Sequence, residues 1–477
     1  MSFKFNSFLF LQLFILISAF NLDDAKKKKL GEIIDSQMKL ANLHTLGIVI
    51  TNKTHTLFQN IFGENKEANS QTPFLIGSVT KSFTALSILQ LNISLDQTLD
   101  NFHLGEYLDE DLLKDITVAE LLNHTSGLDS FNPKRITSRG TYSYSNYGFG
   151  LLGKIIEEKS GQKYSKYVKE NIFNPLNMTH TIAEYDESII ESYSFFLGLR
   201  TKFSSLESEI NDDNGFYIPT GHISTSIEDM GNYLRFYLNE NNSHYVSNMA
   251  ACGVEVQDNI YYGMGLFIVN RSDNIIYRHS GETASFSGQL YIYPELNLGY
   301  FFVANTADLE CPTPFGQFTA AIENFLMYNV YEEVDGSIHS YVHFTHNLMF
   351  LFIIAIPITY LIITVVRKIK RKKYTWFIGV KGKIIFGVDV FVLFILPIII
   401  LIICYGVNGL YRYACNYVKD LLFTIITFCV ALWLNFIIKI VYIILYIKLK
   451  WEPIDIKIDN SLQELAIKLD NDNENEK

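Results

Sequence analysis

The chain has 477 residues and a net charge of −11, and 48 % of its residues are hydrophobic and 14 % aromatic. This length predicts several structural units, and the apolar content excludes a disordered or collagen-like protein. The acidic balance lacks the basic surface that nucleic-acid binding needs, so we expect no nucleic-acid partner. Mean hydropathy is +0.13, which is high for a soluble enzyme, and the apolar residues are concentrated at the two ends of the chain.

The first residues have the order of a secretory signal peptide. Lys4 precedes an apolar run, and the small residues Ser18 and Ala19 follow it. The short apolar core favours cleavage just after Ala19, and an uncleaved anchor helix is the alternative. We therefore expect residues 1–19 to be a signal peptide that sends residues 21–340 across a membrane.

The region after the signal peptide is predicted to form one globular unit. β-branched and aromatic residues predict strands near its start, at 44–51 and 54–62, and four more between residues 261 and 304. Between these strands the apolar spacing and the end signals predict helices at 78–91, 118–122, 147–159 and 228–238. We expect the two ends to meet in one sheet, the helical middle to form a second lobe, and a site to lie between the lobes.

The first candidate motif is Ser78-Val-Thr-Lys81, at the start of the first predicted helix of this region. Residues three apart share a helix face, so the hydroxyl of Ser78 and the amine of Lys81 would lie side by side. A helix N-terminus favours a developing anion, and a desolvated lysine can serve as a base near neutral pH. The motif is common by chance, and a capped helix with a surface lysine is the alternative.

Two further short motifs carry candidate groups. Tyr144-Ser-Asn146 offers a phenol that could relay a proton and an amide that could hold a substrate carbonyl, although a helix-capping turn would also explain it. His279-Ser-Gly281 lies on a predicted strand, where glycine would let a substrate backbone approach. A loop histidine with satisfied hydrogen bonds is the alternative for His279.

The three motifs occur in the order found in serine β-lactamases and penicillin-binding proteins. The flanking sequence resembles the class C β-lactamase-like family, whose members include esterases and D-amino-acid peptidases, over about residues 30–325. The resemblance lies in six segments: FLIGSVTKSFTAL, ELLNHTSGL, YSNYGFGLLGKIIEEKSGQKY, GHISTSIEDM, YGMGLFI and HSG. It implies an α/β fold of the β-lactamase/transpeptidase type, with an antiparallel sheet, flanking helices and an all-helical lobe.

The resemblance also implies roles for the first two motifs. Ser78 would be the nucleophile, with its own N–H as the first donor to an oxyanion, and Lys81 would be its base or the partner of its base. Tyr144 would carry a proton to the leaving group, and Asn146 would orient the substrate amide.

The third motif departs from the pattern of strict β-lactamases. His279 and Gly281 match its positions, but β-lactamases usually have lysine where this chain has His279. Many esterase and peptidase relatives share this change, so it weakens the expectation of antibiotic hydrolysis and not that of a hydrolase. The N–H of Glu282 would be the second donor to the oxyanion.

The last third of the chain contains three long apolar runs, which predict transmembrane helices at 348–366, 384–405 and 421–447. The loop 367–383 has many Lys and Arg and no acidic residue, so the positive-inside rule places it in the cytosol. The preceding domain would then be extracellular or lumenal, in agreement with a signal peptide, and the tail 448–477 would be cytosolic.

Other features bear on the compartment and on cofactors. All Asn-x-Ser/Thr sequons precede the first predicted span and indicate a glycoprotein; they begin at Asn52, Asn92, Asn123, Asn177, Asn241 and Asn270. Cys252 and Cys311 fall in the outer region and could pair. No Cys/His cluster has zinc-ligand spacing, and neither a Walker loop nor a dinucleotide-binding glycine pattern occurs, so we expect no metal and no cofactor.

Together these features predict a multi-pass membrane protein whose outer domain is a β-lactamase-related serine hydrolase. It would cleave ester or amide bonds of a small-molecule or peptide-like substrate through an acyl-enzyme, with the lipid bilayer as its other partner. The alternative is a sensor or receptor whose outer domain is acylated or occupied without turnover. A degenerate scaffold is disfavoured because every expected catalytic side chain is present.

Overall fold

The computed structural model describes residues 22–242, 244–245, 248, 253–271, 274–371, 390–399 and 419–451. The chain divides into two compact units, and the boundary between them follows Leu348. The predicted signal peptide at 1–19 lies outside the described residues, as do most of the basic loop and nearly all of the predicted tail.

An antiparallel sheet of eight strands is the centre of the first unit, in the order β2-β1-β12-β11-β10-β9-β8-β7. The strands in chain order are β1 Thr45–Thr51, β2 Thr56–Gly63, β3 Phe74–Leu75, β4 Tyr193–Phe196, β5 Leu199–Lys202, β6 Ser224–Thr225, β7 Val254–Gln257, β8 Ile260–Gly263, β9 Leu266–Asn270, β10 Ile275–Glu282, β11 Ser287–Tyr293 and β12 Leu298–Ala304. Strands β3 and β6 form a separate pair, and β4 and β5 form a hairpin.

The pairing of β1 with β12 joins the two ends of the domain. Val49 on β1 lies opposite Phe301 on β12, and its other neighbour is Gln59 on β2. All seven residues of β1 are buried, which is typical of a strand covered on both faces. The prediction that strands from both ends share one sheet is confirmed.

Helices cover both faces of the sheet and build the middle of the domain. In chain order they are α1 Asp24–Leu40, α2 Thr80–Gln90, α3 Glu110–Asp115, α4 Val118–Leu122, α5 Asn146–Ser160, α6 Tyr164–Val168, α7 Leu206–Ile210, α8 Ile218–Gly221, α9 Ile227–Leu238, α10 Thr313–Tyr328, α11 Gly336–Arg371 and α12 Lys419–Trp451. Helices α2, α4, α5 and α9 match the four predicted helices to within about two residues at each end, the usual scatter of such boundaries.

Local sequence explains where two of these helices begin and end. Thr117 and Glu120 form a capping box at the start of α4, in which each side chain receives a hydrogen bond from the other residue's backbone N–H. The side chain of Ser145 caps α5, and Gly161 ends that helix with a φ of 68°. The left-handed backbone at this position favours glycine, as the sequence predicts.

The sheet separates two apolar cores. Val49 packs in one core with α2, α5 and α9, whereas Ile48 and Ile50 pack in the other, beneath α1 and α10. The sequence analysis missed α1 and α10, although Leu30, Ile33 and Ile34 have the spacing of a helix face that is buried against a core.

The second unit contains the remainder of α11, the segment 390–399 and most of α12. Within this unit the indole Nε1 of Trp433 on α12 donates a hydrogen bond to the carbonyl oxygen of Phe394 at 3.4 Å. The rings of Phe394 and Phe436 also pack, with their centroids 5.1 Å apart.

No helix in the described parts of the chain has the length and apolarity that crossing a membrane requires. The structure therefore does not support the predicted spans at 348–366, 384–405 and 421–447. The middle one of these lies partly outside the described residues, at 384–389 and 400–405.

A close approach between α5 and α8 positions part of the candidate site. A Cβ atom on Gly153 would lie 2.3 Å from Cγ of Pro219, so only glycine permits this contact. The carbonyl oxygen of Pro219 accepts a hydrogen bond from the Thr84 hydroxyl on α2 at 2.7 Å. The glycine on α5 thereby lets α8 dock against α2, the helix that follows Ser78.

We expect Gly153→Ala to lower the free energy of unfolding by about 1–3 kcal/mol, because the added methyl group overpacks the contact with a rigid proline ring. Gly148→Ala is the matched control on the same helix, since its nearest neighbour would be at an ordinary 3.5 Å. That change should be neutral or stabilise the protein by up to about 1 kcal/mol. Urea titrations measure both, and equal stability of the two variants would contradict the proposed packing.

Candidate active site

Ser78 lies on a tight turn that is pressed against the end of β10. The turn is a 3-10 helix, Gly77–Val79, that leads directly into α2. A Cβ atom on Gly77, whose φ is 54°, would lie 2.4 Å from the backbone nitrogen of Glu282, and one on Gly281 would lie 1.9 Å from the carbonyl oxygen of Ile76. The two glycines therefore bring the backbone at the end of β10 against the turn that carries Ser78.

Two side chains lie within hydrogen-bond distance of the hydroxyl of Ser78. Lys81 Nζ lies 3.1 Å from Ser78 Oγ, and the hydroxyl of Tyr144 lies 2.8 Å from it. Ser78 itself is partly exposed, whereas Lys81 is fully buried. Tyr144 is also partly exposed, so the amine of Lys81 is the one fully buried group of the three.

The amine of Lys81 is held by three elements of the fold. It donates to Asn146 Oδ1 at the start of α5 and to the carbonyl oxygen of Thr220 on α8, both at 2.7 Å, and it lies 3.1 Å from Ser78 Oγ. Burial lowers the pKa of Lys81 well below its ordinary value, because no charge of opposite sign compensates the lost solvation. The environment thus favours a neutral amine.

Tyr144 lies half-buried beside the lysine. Its ring lies 4.8 Å from Lys81 Nζ and 4.2 Å from the ring of His124. Burial raises the pKa of Tyr144 well above its ordinary value, and the hydrogen bond to Ser78 only partly opposes this shift. The phenol is therefore protonated at neutral pH and can donate to Ser78 Oγ.

Asn146 is the first residue of α5, and its amide is fixed at both ends. Oδ1 accepts from Lys81, and Nδ2 donates to the hydroxyl of Ser130 at 3.2 Å. These contacts make Asn146 a positioning group for Lys81, and its role in orienting a substrate amide stays a prediction.

His279 is buried on β10, with 2 % of its surface exposed. Its Nδ1 donates to the carbonyl oxygen of Ser280 at 2.5 Å, so Nε2 is the acceptor for the hydroxyl of Tyr262 at 3.3 Å. Burial, together with the charge of Lys81, lowers the pKa of His279 to about 3. The ring is therefore neutral, and its hydrogen-bond partners lie within the protein, as the alternative of a histidine with satisfied hydrogen bonds predicts. The centroid of the ring lies 6.4 Å from that of Tyr144.

The structure brings most of the predicted groups together. Ser78, Lys81, Tyr144 and Asn146 form one hydrogen-bonded set, and the backbone of Gly281 and Glu282 lies against the turn beside it. The side chain of Glu282 is exposed, so only its backbone belongs to this arrangement.

Four groups near the site were missed by sequence reasoning: His124, Ser130, Thr220 and Tyr262. His124 Nδ1 accepts from the backbone N–H of Ser145 at 3.1 Å, and burial lowers the pKa of His124 well below its ordinary value. His124 and Tyr262 lie within segments that carry the family resemblance. Their position in these segments could have indicated that both residues lie near the site, but it does not predict which groups they contact.

Comparisons with known proteins identify the family and the fold of the domain that contains these residues. Residues 30–313 match the sequence model of the family described as Beta-lactamase. Protein flp of Staphylococcus aureus (strain NCTC 8325 / PS 47) is 24 % identical over 352 residues, which cover 65 % of this chain and 69 % of that protein. Beta-lactamase-like protein 2 of Dictyostelium discoideum is 26 % identical over 355 residues, which cover 64 % of this chain and 63 % of that protein.

Solved structures show the same fold. The octameric penicillin-binding protein homologue from Pyrococcus abyssi has a TM-score of 0.53 and 24 % identity, with 64 % of this chain and 78 % of that chain covered. A class C beta-lactamase has a TM-score of 0.50 and 17 % identity, with 59 % and 92 % covered. The fold is α/β, with the antiparallel sheet and helices that the resemblance implied. Because the family model matches more than half of its length, the chain belongs to the beta-lactamase family.

Proposed function

We propose that this chain is a membrane-anchored serine hydrolase that cleaves ester or amide bonds through an acyl-enzyme on Ser78. The hydrogen bonds of Lys81 are the observation that carries the proposal. A neutral amine has two N–H donors and one lone pair. Asn146 Oδ1 and the Thr220 carbonyl, each at 2.7 Å, accept from the two donors, so the lone pair remains for the hydroxyl proton of Ser78 at 3.1 Å.

The reaction then proceeds in two balanced steps. Lys81 Nζ takes the proton of Ser78 while Oγ attacks the substrate carbonyl, and the backbone N–H groups of Ser78 and Glu282 bind the oxyanion. Tyr144 donates its proton to the leaving alcohol or amine and regains one from Lys81. Water then attacks the acyl-enzyme through the same groups, which releases the acid and restores the Ser78 hydroxyl.

The neutral state of His279 bears on the class of substrate. β-Lactams carry a carboxylate, which a charged lysine in the third motif would attract. A buried histidine whose pKa is lowered to about 3 supplies no positive charge at pH 7. The proposed substrates are therefore small acyl esters or peptide amides rather than β-lactams.

Membrane anchoring is the second part of the proposal, and it rests on the sequence. The uncharged run 348–366, the basic loop 367–383 and the signal-like residues 1–19 all favour a domain that faces the extracellular space or a lumen. Two further spans would then place the loop between them outside and the C-terminal tail in the cytosol.

Ser78→Ala should abolish labelling by a fluorophosphonate or penicillin-type probe, because it removes the attacking oxygen. Ser82→Ala, four residues further along the chain in α2, is the matched control and should label normally. Its hydroxyl is fully buried, donates to the carbonyl oxygen of Val79 at 2.8 Å and lies 2.9 Å from the hydroxyl of Tyr233. In-gel fluorescence measures both variants, and equal labelling of Ser78→Ala and wild type would end the proposed mechanism.

Hydrolysis rates test the proposed roles of Lys81 and Tyr144 in proton transfer. Lys81→Arg keeps a positive charge that cannot be released, and Tyr144→Phe keeps the ring, so each should lower kcat by about 10²–10⁴-fold. In the wild type, kcat/KM should rise with pH through the lowered pKa of Lys81, since only the neutral amine accepts a proton. Repeated turnover would also exclude the alternative of a sensor that keeps its acyl label.

The purified protein should have a higher kcat/KM for a short-chain p-nitrophenyl ester than for a chromogenic cephalosporin at pH 7. We expect this preference because His279 supplies no positive charge. His279→Lys should reduce the difference in kcat/KM between the ester and the cephalosporin, because it should improve the binding of anionic substrates. Labelling at Ser78 checks that this variant still folds. A wild-type preference for the cephalosporin would contradict the proposed substrate class.

Epitope tags inserted at Lys372 and at the C-terminus should be cytosolic, whereas a tag at Asn416 should be outside. The reason is the concentration of basic residues in the loop 367–383, which the positive-inside rule retains in the cytosol. Protease accessibility in intact and permeabilised cells measures each position. Protection of the Asn416 tag in intact cells would contradict three spans.

A further inference from the structure

A second cluster of chemically reactive side chains lies outside the proposed catalytic set. Asp308 belongs to the loop between β12 and α10, and His339 and His343 lie one turn apart on α11, within the same compact unit. Residues four apart on a helix present their side chains on one face, so both imidazoles approach the same carboxylate. The sequence analysis found no zinc-ligand spacing because the carboxylate is remote from the two histidines in the chain.

The distances within the cluster fit a small metal ion. Asp308 Oδ2 lies 2.9 Å from His343 Nε2 and 3.1 Å from His339 Nε2. One ligand atom from each of the three residues lies within 4.8 Å of the other two. Tetrahedral zinc, with bonds of about 2.0–2.1 Å, places its ligands roughly 3.3 Å apart, so a small adjustment of these side chains would enclose the ion.

The carboxylate of Asp308 is already held in the orientation that a ligand needs. Its Oδ1 accepts hydrogen bonds from the backbone N–H groups of Glu310 at 3.2 Å and Cys311 at 3.1 Å. These bonds leave Oδ2 directed at the histidines. A ligand fixed in this way loses little freedom when it binds an ion.

An outer carboxylate is placed behind one of the histidines. Glu310 Oε2 lies 3.4 Å from Nδ1 of His343, the nitrogen on the opposite side of the ring from Asp308. Metal-binding histidines characteristically pair their second nitrogen with a carboxylate, which fixes the ring and raises its basicity. The arrangement of Asp308, His343 and Glu310 follows this pattern.

Burial provides an independent argument. Only 8 % of His339 and 3 % of His343 is exposed. Nε2 of His339 is buried and has no assigned hydrogen-bond partner among the described residues, although Asp308 Oδ2 lies 3.1 Å away. Bonding to an ion in the centre of the cluster would satisfy this nitrogen.

The cluster lies beside an aromatic ring and a narrow cavity. Phe195 on β4 packs against His339 with a centroid distance of 4.6 Å and against His343 at 5.8 Å. The cavity is lined by Asp308 and His339 of the cluster and also by Phe195 and Glu282. This cavity gives an ion a path of entry and leaves room for a water molecule as fourth ligand.

We propose that Asp308, His339 and His343 bind one divalent metal ion of the zinc class, with Glu310 as the outer carboxylate that orients His343. Two imidazoles and one carboxylate suit Zn²⁺ or Co²⁺ better than Mg²⁺ or Ca²⁺, which prefer oxygen ligands alone. The ion ties the start of α11 to the loop that follows β12. It stabilises the folded protein because the ligands come together only on folding.

The test uses the full-length protein after removal of metal with a chelator. Titration with Zn²⁺ against a chromogenic zinc indicator should give one tight site per chain. His339→Ala combined with His343→Ala should weaken it at least about 100-fold, and Glu310→Gln about 10–100-fold. His103→Ala is the matched control, since His103 is an exposed histidine that lies 3.4 Å from a carboxylate oxygen of Glu158, and it should bind like the wild type.

Two further measurements test the proposal even if the double variant His339→Ala/His343→Ala does not fold. Zn²⁺ should raise the melting temperature of the wild type and of His103→Ala, and at the same concentration it should raise that of Glu310→Gln less. Co²⁺ should give the intense visible absorption of a four-coordinate nitrogen and oxygen site. Absence of a stoichiometric site in the wild type, or unchanged affinity in Glu310→Gln and the double variant, would overturn the proposal. None of these readouts depends on the activity of Ser78.

Discussion

Everything proposed for the catalytic site depends on the burial of one amine. An ammonium group placed in a protein interior without a counter-charge is costly, so the lysine loses its proton more easily than it would in water. The fold arranges for this by placing Lys81 where α2, α5 and α8 meet and by offering it only neutral oxygens from Asn146 and Thr220. A carboxylate at either position would reverse the effect and hold the proton on the amine.

The groups around the amine have the same electrostatic character. Burial lowers the pKa values of His124 and His279 and raises those of Tyr144 and Tyr262, so all four are neutral at pH 7. A neutral lining neither stabilises the ammonium form of the lysine nor screens charge that develops on a substrate. In the proposed mechanism, the phenol of Tyr144 first gives its own proton to the leaving group and then accepts the proton that Lys81 took from Ser78.

Much of this arrangement could be predicted from the sequence because it depends on local signals. Short stretches of the sequence are enough to predict the strand at 44–51 and the capping of α5 by Ser145 and Gly161. The same holds for the one-turn spacing of Ser78 and Lys81. Contacts between remote segments had no such signal. Thr220 contacts Lys81 through its backbone carbonyl oxygen, so the identity of its side chain does not predict the contact. The approach of this carbonyl to Lys81 also depends on the absence of a Cβ atom at Gly153.

The proposed metal site formed by Asp308, His339 and His343 illustrates the same limit. His339 and His343 have a spacing that suits one face of a helix, but two histidines define no site without Asp308. That residue lies before α10, so its position relative to α11 depends on how the whole of α10 packs against α1 and the sheet. Only the tertiary structure contains this information, whereas the order of the three candidate motifs is visible in the sequence itself.

The position of β1 has a consequence for the synthesis of the protein. All seven residues of this strand are buried, and its neighbours in the sheet are β2, which follows at once, and β12, which lies beyond residues 52–297. During translation β1 therefore leaves the ribosome long before β12 exists, with one hydrogen-bonding edge open and its apolar side chains uncovered. Such an edge can pair with other chains. The growing polypeptide must therefore be shielded until its last strands arrive, and any truncation before β12 leaves an aggregation-prone product.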